Sequence, residues 1–112
     1  MKSDKLYIGH ILDAISGIEE YTANISCDEF LKDKKTQDAV LRKLEVVGEA
    51  SKRLSDNLTK SVTEIPWKNI VGMRNKLIHD YFGVDLEEVW KTAKDDVIAL
   101  KSALEKYQNK SS

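Results

Sequence analysis

Between residues 86 and 107 the apolar side chains fall at Leu86, Val89, Trp90, Ala93, Val97, Leu100, Leu104 and Tyr107. Steps of three and four place them on one side of an α-helix, which turns about 100° per residue, and would scatter them over both faces of a strand. Similar spacing recurs along most of the chain, with no period-two alternation, internal repeat or low-complexity stretch. Residues 4 to 24 put Tyr7, Ile8, Ile11, Ala14, Ile15, Ile18 and Thr22 on one face, entered through Ser3 or Asp4. A polar link, ISCDEFLKDKK, with one short turn at Asp28–Leu31, leads into a long helix expected from about Thr36 to Leu58. Its main stripe is Leu41, Leu44, Val47, Ser51, Leu54 and Leu58. A narrower one, Ala39, Val46 and Ala50, lies opposite, so this helix is expected to pack on two partners, with Gly48 allowing a close approach. The segment SVTEIP breaks the pattern. Pro66 then suits the first turn of a third helix, PWKNIVGMRNKLIHDYF, that stops at Gly83, and Asp85 caps the last one. The expected fold is all-α, a four- to five-helix up-and-down bundle forming a single domain over 1–112, because a chain of this length buries one core of moderate size.

A net charge of −1 and a pI near 6.1 argue against broad electrostatic adhesion to nucleic acid, so any RNA contact must come from a local patch. No helix presents the basic recognition face of a DNA-binding module. The lone Cys27 forms no intramolecular disulfide and reads as a partly buried or loop thiol, which fits a reducing cytoplasm. No apolar run approaches the roughly 20 residues of a membrane span, and the amphipathic N-terminus MKSDKLYIGHILDAI is unlike a secretory signal.

The third helix carries the chemistry. Within MRNKLIHDYFG, residues 73–83, Arg74 falls among the apolar positions Trp67, Ile70, Val71, Leu77 and Ile78, where a cation must be paired or must face a polar cleft. Tyr81 lies two turns beyond it, roughly 10 Å along the helix. Asn75 and His79, four apart, share a neighbouring face. Arg74 and His79 diverge by about 140° on a regular helix, so either the arginine curls round or a second copy of the helix completes the site. On the central helix Glu45 and Glu49 sit between the two apolar stripes and offer Arg74 a carboxylate. On chemistry alone, an Arg–Glu pair that merely stitches two helices explains the group as well as a site does.

Arg74-Asn75-x3-His79-x-Tyr81, on the penultimate helix of a small helical chain, resembles the Arg-x4-His-x-Tyr signature of HepT-type toxins, a branch of the HEPN superfamily. Gly48-Glu49-Ala50, the following Ser51-Lys52-Arg53-Leu54 and the Pro66-Trp67 pair are similar to that family too. The resemblance implies a homodimeric, metal-independent RNA endonuclease, without cofactor, whose two motif helices meet across a cleft. It implies the toxin component of a type II toxin–antitoxin system, silenced when an MNT-type nucleotidyltransferase antitoxin attaches AMP to the motif tyrosine. Arg74, Asn75 and His79 then map to catalytic positions and Tyr81 to the modified one.

The chemistry is compatible. Metal-free RNA cleavage needs proton transfers near neutrality, which suit histidine, and stabilisation of charge on the phosphoryl oxygens, which suits a forked, permanently charged guanidinium. One histidine does not easily serve as acid and base in one turnover, whereas a two-fold dimer brings both copies of His79 to one cleft. Asn75 would orient the imidazole or contact ribose, and Glu49, less so Glu45, would hold Arg74; the expected products are a 2',3'-cyclic phosphate and a 5'-hydroxyl. The competing reading is a catalytically silent helical adaptor that binds or positions a nucleotidyltransferase. Other residues read more plainly. His10 flanks the first apolar stripe, two histidines without a cysteine cluster make no metal site, and Trp67 and Trp90 belong to the core. Lys32–Lys35 is a solvated link, while Lys52, Arg53 and Lys76 are candidates for a local positive patch.

Overall fold

A computed structural model describes residues 2–79 and 85–111, and at residues 2, 74, 75, 77–79 and 111 the backbone alone. All regular structure among them is helical, as expected: α1 (Lys2–Thr22), α2 (Cys27–Lys32), α3 (Lys34–Lys52), α4 (Asp56–Ser61), α5 (Trp67–His79), α6 (Leu86–Lys91), a π turn (Thr92–Asp96) and α7 (Val97–Ser111). Local caps start several of them. Ser26 and Glu29 form a reciprocal capping box on α2, with bonds of 3.0 and 3.1 Å. The Asp33 carboxylate accepts from the backbone N–H and the hydroxyl of Thr36 at the start of α3, and those bonds lower its pKa. Asp85 accepts from Glu87 and Glu88, capping α6 as its position promised.

The centre of the bundle is α3, which packs against both α1 and α5, as its two stripes indicated. Contacts along α1 set the direction of its neighbours. Asp4 meets Ser55, Tyr7 meets Arg53 and Gly17 lies against Lys43, so α1 and α3 run antiparallel. Glu19 pairs with Lys101 at 3.0 Å, and the Thr22 carbonyl accepts from Lys94, so α7 also runs antiparallel to α1. Ile11, Ile15 and Ile18 of α1, Leu44 and Val47 of α3, and Val97, Leu100 and Leu104 of α7 are fully buried between them. Phe30 of α2 plugs one side, its ring 5.2 Å from that of Trp90.

Three boundaries differ from the sequence reading. The long helix expected from Thr36 to Leu58 ends at Lys52, and α4 begins afresh at Asp56. Ser55 is responsible. Its hydroxyl accepts from the Leu58 N–H at 3.2 Å to cap α4, while the Asp4 carboxylate takes both the Ser55 N–H, at 2.8 Å, and the Ser55 hydroxyl proton. Leu54 within the break and Leu58 beyond it stay buried, so the apolar period runs on through a gap in the helix. Second, α4 runs past Leu58 to Ser61, the first residue of SVTEIP, and Val62 and Ile65 of that segment are buried. Third, the last helix contains a π turn that carries no Gly or Pro to announce it, yet Val89, Ala93, Val97 and Leu100 remain buried across it.

Asp4 is only 6% exposed, so its carboxylate depends on Ser55. Asp4→Ala is expected to destabilise the fold by about 1–3 kcal/mol through the orphaned Ser55 donors. Asp4→Ala and Ser55→Ala together should cost clearly less than their sum in a thermal-unfolding double-mutant cycle. Strict additivity would contradict the shared anchor.

Candidate functional site

The Arg-x4-His segment lies on α5, whose start is strongly held. The Pro66 carbonyl accepts from the Asn69 and Ile70 N–H groups at 2.9 and 3.2 Å, and the Trp67 indole N–H donates to the Val62 carbonyl at 2.9 Å. Trp67 is half-buried against the core and so ties the helix to the turn before it. Ile70 is buried, Val71 and Met73 are half-buried, and Lys68, Asn69, Gly72 and Lys76 are exposed. This sets the register of the helix. In the sequence Arg74 follows Ile70 by four and Trp67 by seven, and Asn75 and His79 stand four apart. The backbone of Arg74, Asn75 and His79 is helical; their side chains, and Tyr81 altogether, lie outside the described residues.

The two carboxylates expected to serve Arg74 are found on α3, each holding an arginine of its own helix. Glu49 Oε1 accepts from Arg53 Nε and Nη2 at 3.3 and 3.2 Å, and Glu45 lies 3.8 Å from Arg42. Glu45 and Glu49 retain 30% and 38% of their side-chain exposure, matching the half-buried setting expected between two apolar stripes. An Arg74 pairing concerns a side chain outside the described residues.

Two concavities flank this framework. One, of about 490 Å³, runs between α5 and the α6–π-turn segment, floored by Ile65, Ile70 and Val89 and edged by Lys68, Lys76 and Asp96. The other, about 350 Å³, lies between α1 and α3, where Tyr7 and His10 face Glu45, Glu49 and Arg53. Among the described residues no cluster of His, Cys, Asp and Glu suits a metal ion, and no helix is long and apolar enough to cross a membrane. Cys27 is half-buried at the first residue of α2, in keeping with the plain reading.

The chain matches the family model described as Ribonuclease HepT-like over residues 11–107. It belongs to the HepT-like ribonuclease family. That places it in the HEPN superfamily. It is 50% identical over 105 residues to the "Probable ribonuclease HepT" of Thermococcus cleftensis, an alignment spanning 94% of this chain and 96% of that one. A Methanocaldococcus jannaschii protein with an RNase name is 39% identical over 101 residues, covering 90% of this chain and 93% of the other. A second protein of that organism, whose name joins a gamma-glutamylcyclotransferase to an RNase, is 44% identical over 103 residues; these make up 92% of this chain and 46% of the longer protein. No solved structure matches.

The sequence reading of this HepT-like chain missed one group. The guanidinium of Arg53 stands 5.9 Å from the Tyr7 ring centroid, and His10 meets the same ring edge-on at 5.9 Å. The His10–Tyr7 spacing of three was visible on α1, but Arg53 joins them only through the antiparallel crossing of α1 and α3.

Gly72, in the middle of α5, has open space where a Cβ would stand. Gly72→Ala is therefore expected to stabilise the protein by about 0.8–1 kcal/mol through helix propensity alone. A thermal melt should move upward, and a fall would mean that the space beside Gly72 is filled in solution.

Proposed function

We propose that this chain is a metal-independent RNA endonuclease acting as a homodimer, the toxin of a toxin–antitoxin pair, in the cytoplasm. The observation that carries the proposal is the joint one of family and register: the HepT-like match spans residues 11–107, and within it Arg74, Asn75 and His79 sit on a helix packed against α3. The names of the relatives, including the "Probable ribonuclease HepT" from Thermococcus cleftensis, support the same substrate class.

In this reading one His79 removes the proton from a ribose 2'-hydroxyl, whose oxygen attacks the adjacent phosphorus. The P–O5' bond breaks, and His79 of the second copy delivers a proton to the departing 5'-oxygen. Arg74 neutralises charge on the non-bridging oxygens, aided by its permanent charge and forked geometry. Asn75, in register with His79, orients the imidazole or contacts ribose. Glu49 is the first candidate to hold Arg74, and Glu45 the second; both are positioning residues.

Tyr81 is the acceptor through which a nucleotidyltransferase partner silences the enzyme. A phenol accepts AMP, and the added phosphate would place negative charge where RNA must bind. Purified alone, the wild-type chain is expected to cleave RNA, with His79→Ala reducing the rate by about a hundredfold or more. Produced with its nucleotidyltransferase, the chain should gain one or more AMP units in intact mass and lose cleavage. Tyr81→Phe should cleave yet gain no mass. Absence of cleavage by the unmodified wild type would put a silent adaptor in place of the enzyme, and AMP addition to Tyr81→Phe would move the acceptor elsewhere.

A further inference from the structure

The groove between α1 and α3 is only partly used by this chemistry. Glu49 and Glu45 border it as the candidates to position Arg74, and Tyr7, His10, Arg42 and Arg53 line it outside the bond cleavage proposed above. Its make-up is specific. Tyr7 supplies an aromatic ring, half-buried and held by its place near the start of α1. The exposed Arg53 guanidinium stands near that ring, fixed by two bonds to Glu49. The Glu49 carboxylate, and after it the Tyr7 hydroxyl, raise the Arg53 pKa further. His10 approaches the Tyr7 ring at 84°, so its own ring stands across the same wall. Farther along α3, Arg42 lies beside Glu45.

Two guanidiniums against two carboxylates leave the groove without the surplus positive charge of a phosphate site. Nor is it a continuous apolar surface. It offers flat π surfaces together with fixed donors and acceptors. That combination suits an unpaired nucleobase, which stacks through its face and exchanges hydrogen bonds along its edge. Guanidinium and carboxylate side chains are also the groups that tell one base edge from another.

We propose that the α1–α3 groove is a nucleobase subsite, in which Tyr7 and Arg53 hold a base of the RNA near the scissile phosphate and set sequence preference. The inference rests on the ribonuclease reading for its substrate, and Glu49 links the two places: it borders the groove and is the candidate partner of Arg74. Tyr7 and Arg53 are specificity residues, touching the base and not the reacting atoms.

The test uses the full chain and a set of fully 2'-O-methylated oligonucleotides that differ at single bases. These lack the attacking hydroxyl, so fluorescence anisotropy reads binding without cleavage. Tyr7→Leu is expected to weaken binding about tenfold, the order of one lost base–aromatic stack, and to flatten the preference among bases. Tyr7→Phe, which keeps the ring, should restore most of the affinity, and Arg53→Met should flatten preference as well. With cleavable RNA, Tyr7→Leu should raise KM more than it lowers kcat. Wild-type affinity and preference in a folded Tyr7→Leu protein, or no RNA binding by the wild type, would overturn the subsite. So would a change in sedimentation that showed Tyr7 to be a contact between copies. Base-selective, Tyr7-dependent binding in a wild type that cuts no RNA would sink the ribonuclease reading and leave the subsite standing.

Discussion

Everything in this bundle is referred to α3, a helix that must cover two of its sides at once. One side packs on α1 and another on α5, and Val40, Leu44 and Val47 are fully buried as a result. Two partners on a helix about 10 Å across leave a narrow strip between them partly open. Along it fall Arg42, Glu45, Glu49 and Arg53, spaced by three, four and four. The strip is charged because it is open, and its charges pair within the helix because that spacing brings them together. The same constraint packs the motif helix α5 on one side of α3 and sets Tyr7 of α1 beside Arg53 on the other.

Such a site needs few special devices. The entry to α5 is secured by one indole bond and the Pro66 carbonyl, and the α3–α4 junction by a single carboxylate from α1. These polar contacts are nearly all local or satisfied by one distant partner, which lets the apolar core supply most of the stability. Ion pairs across the bundle are few among the described residues, and the Glu19–Lys101 pair is more than a third exposed on both sides, so it guides packing direction more than it stabilises.

The architecture was legible in the sequence wherever period and partner agreed. The stripes of α1 and of the final helix, the double-sided α3, the Asp85 cap and the core placement of both tryptophans all follow from local spacing. What failed to show were features made by distant residues. The break at Arg53–Ser55 is invisible in the spacing of Leu54 and Leu58 and depends on a carboxylate 51 positions away. The π turn has no local signal, since it preserves the buried stripe it interrupts. At the site, the Arg74–His79–Tyr81 spacing is a local pattern and could be read directly, as could the half-buried setting of Glu45 and Glu49. The cluster of Tyr7, His10 and Arg53 could not, because it exists only once α1 and α3 cross antiparallel. The Arg42–Glu45 and Arg53–Glu49 pairs stand at helical spacing in the sequence, where Arg74 on another helix is an equally good partner for either carboxylate.

The central claim is that this helical scaffold cuts RNA with its own side chains, the 2'-hydroxyl acting as nucleophile and no metal taking part. Its most direct test is end-group analysis, by mass spectrometry, of RNA digested by the purified, unmodified chain in the presence of EDTA. The account predicts undiminished cleavage, leaving a 2',3'-cyclic phosphate on one fragment and a 5'-hydroxyl on the other. Fragments bearing 5'-phosphates, or cleavage that disappears with the chelator, would contradict it.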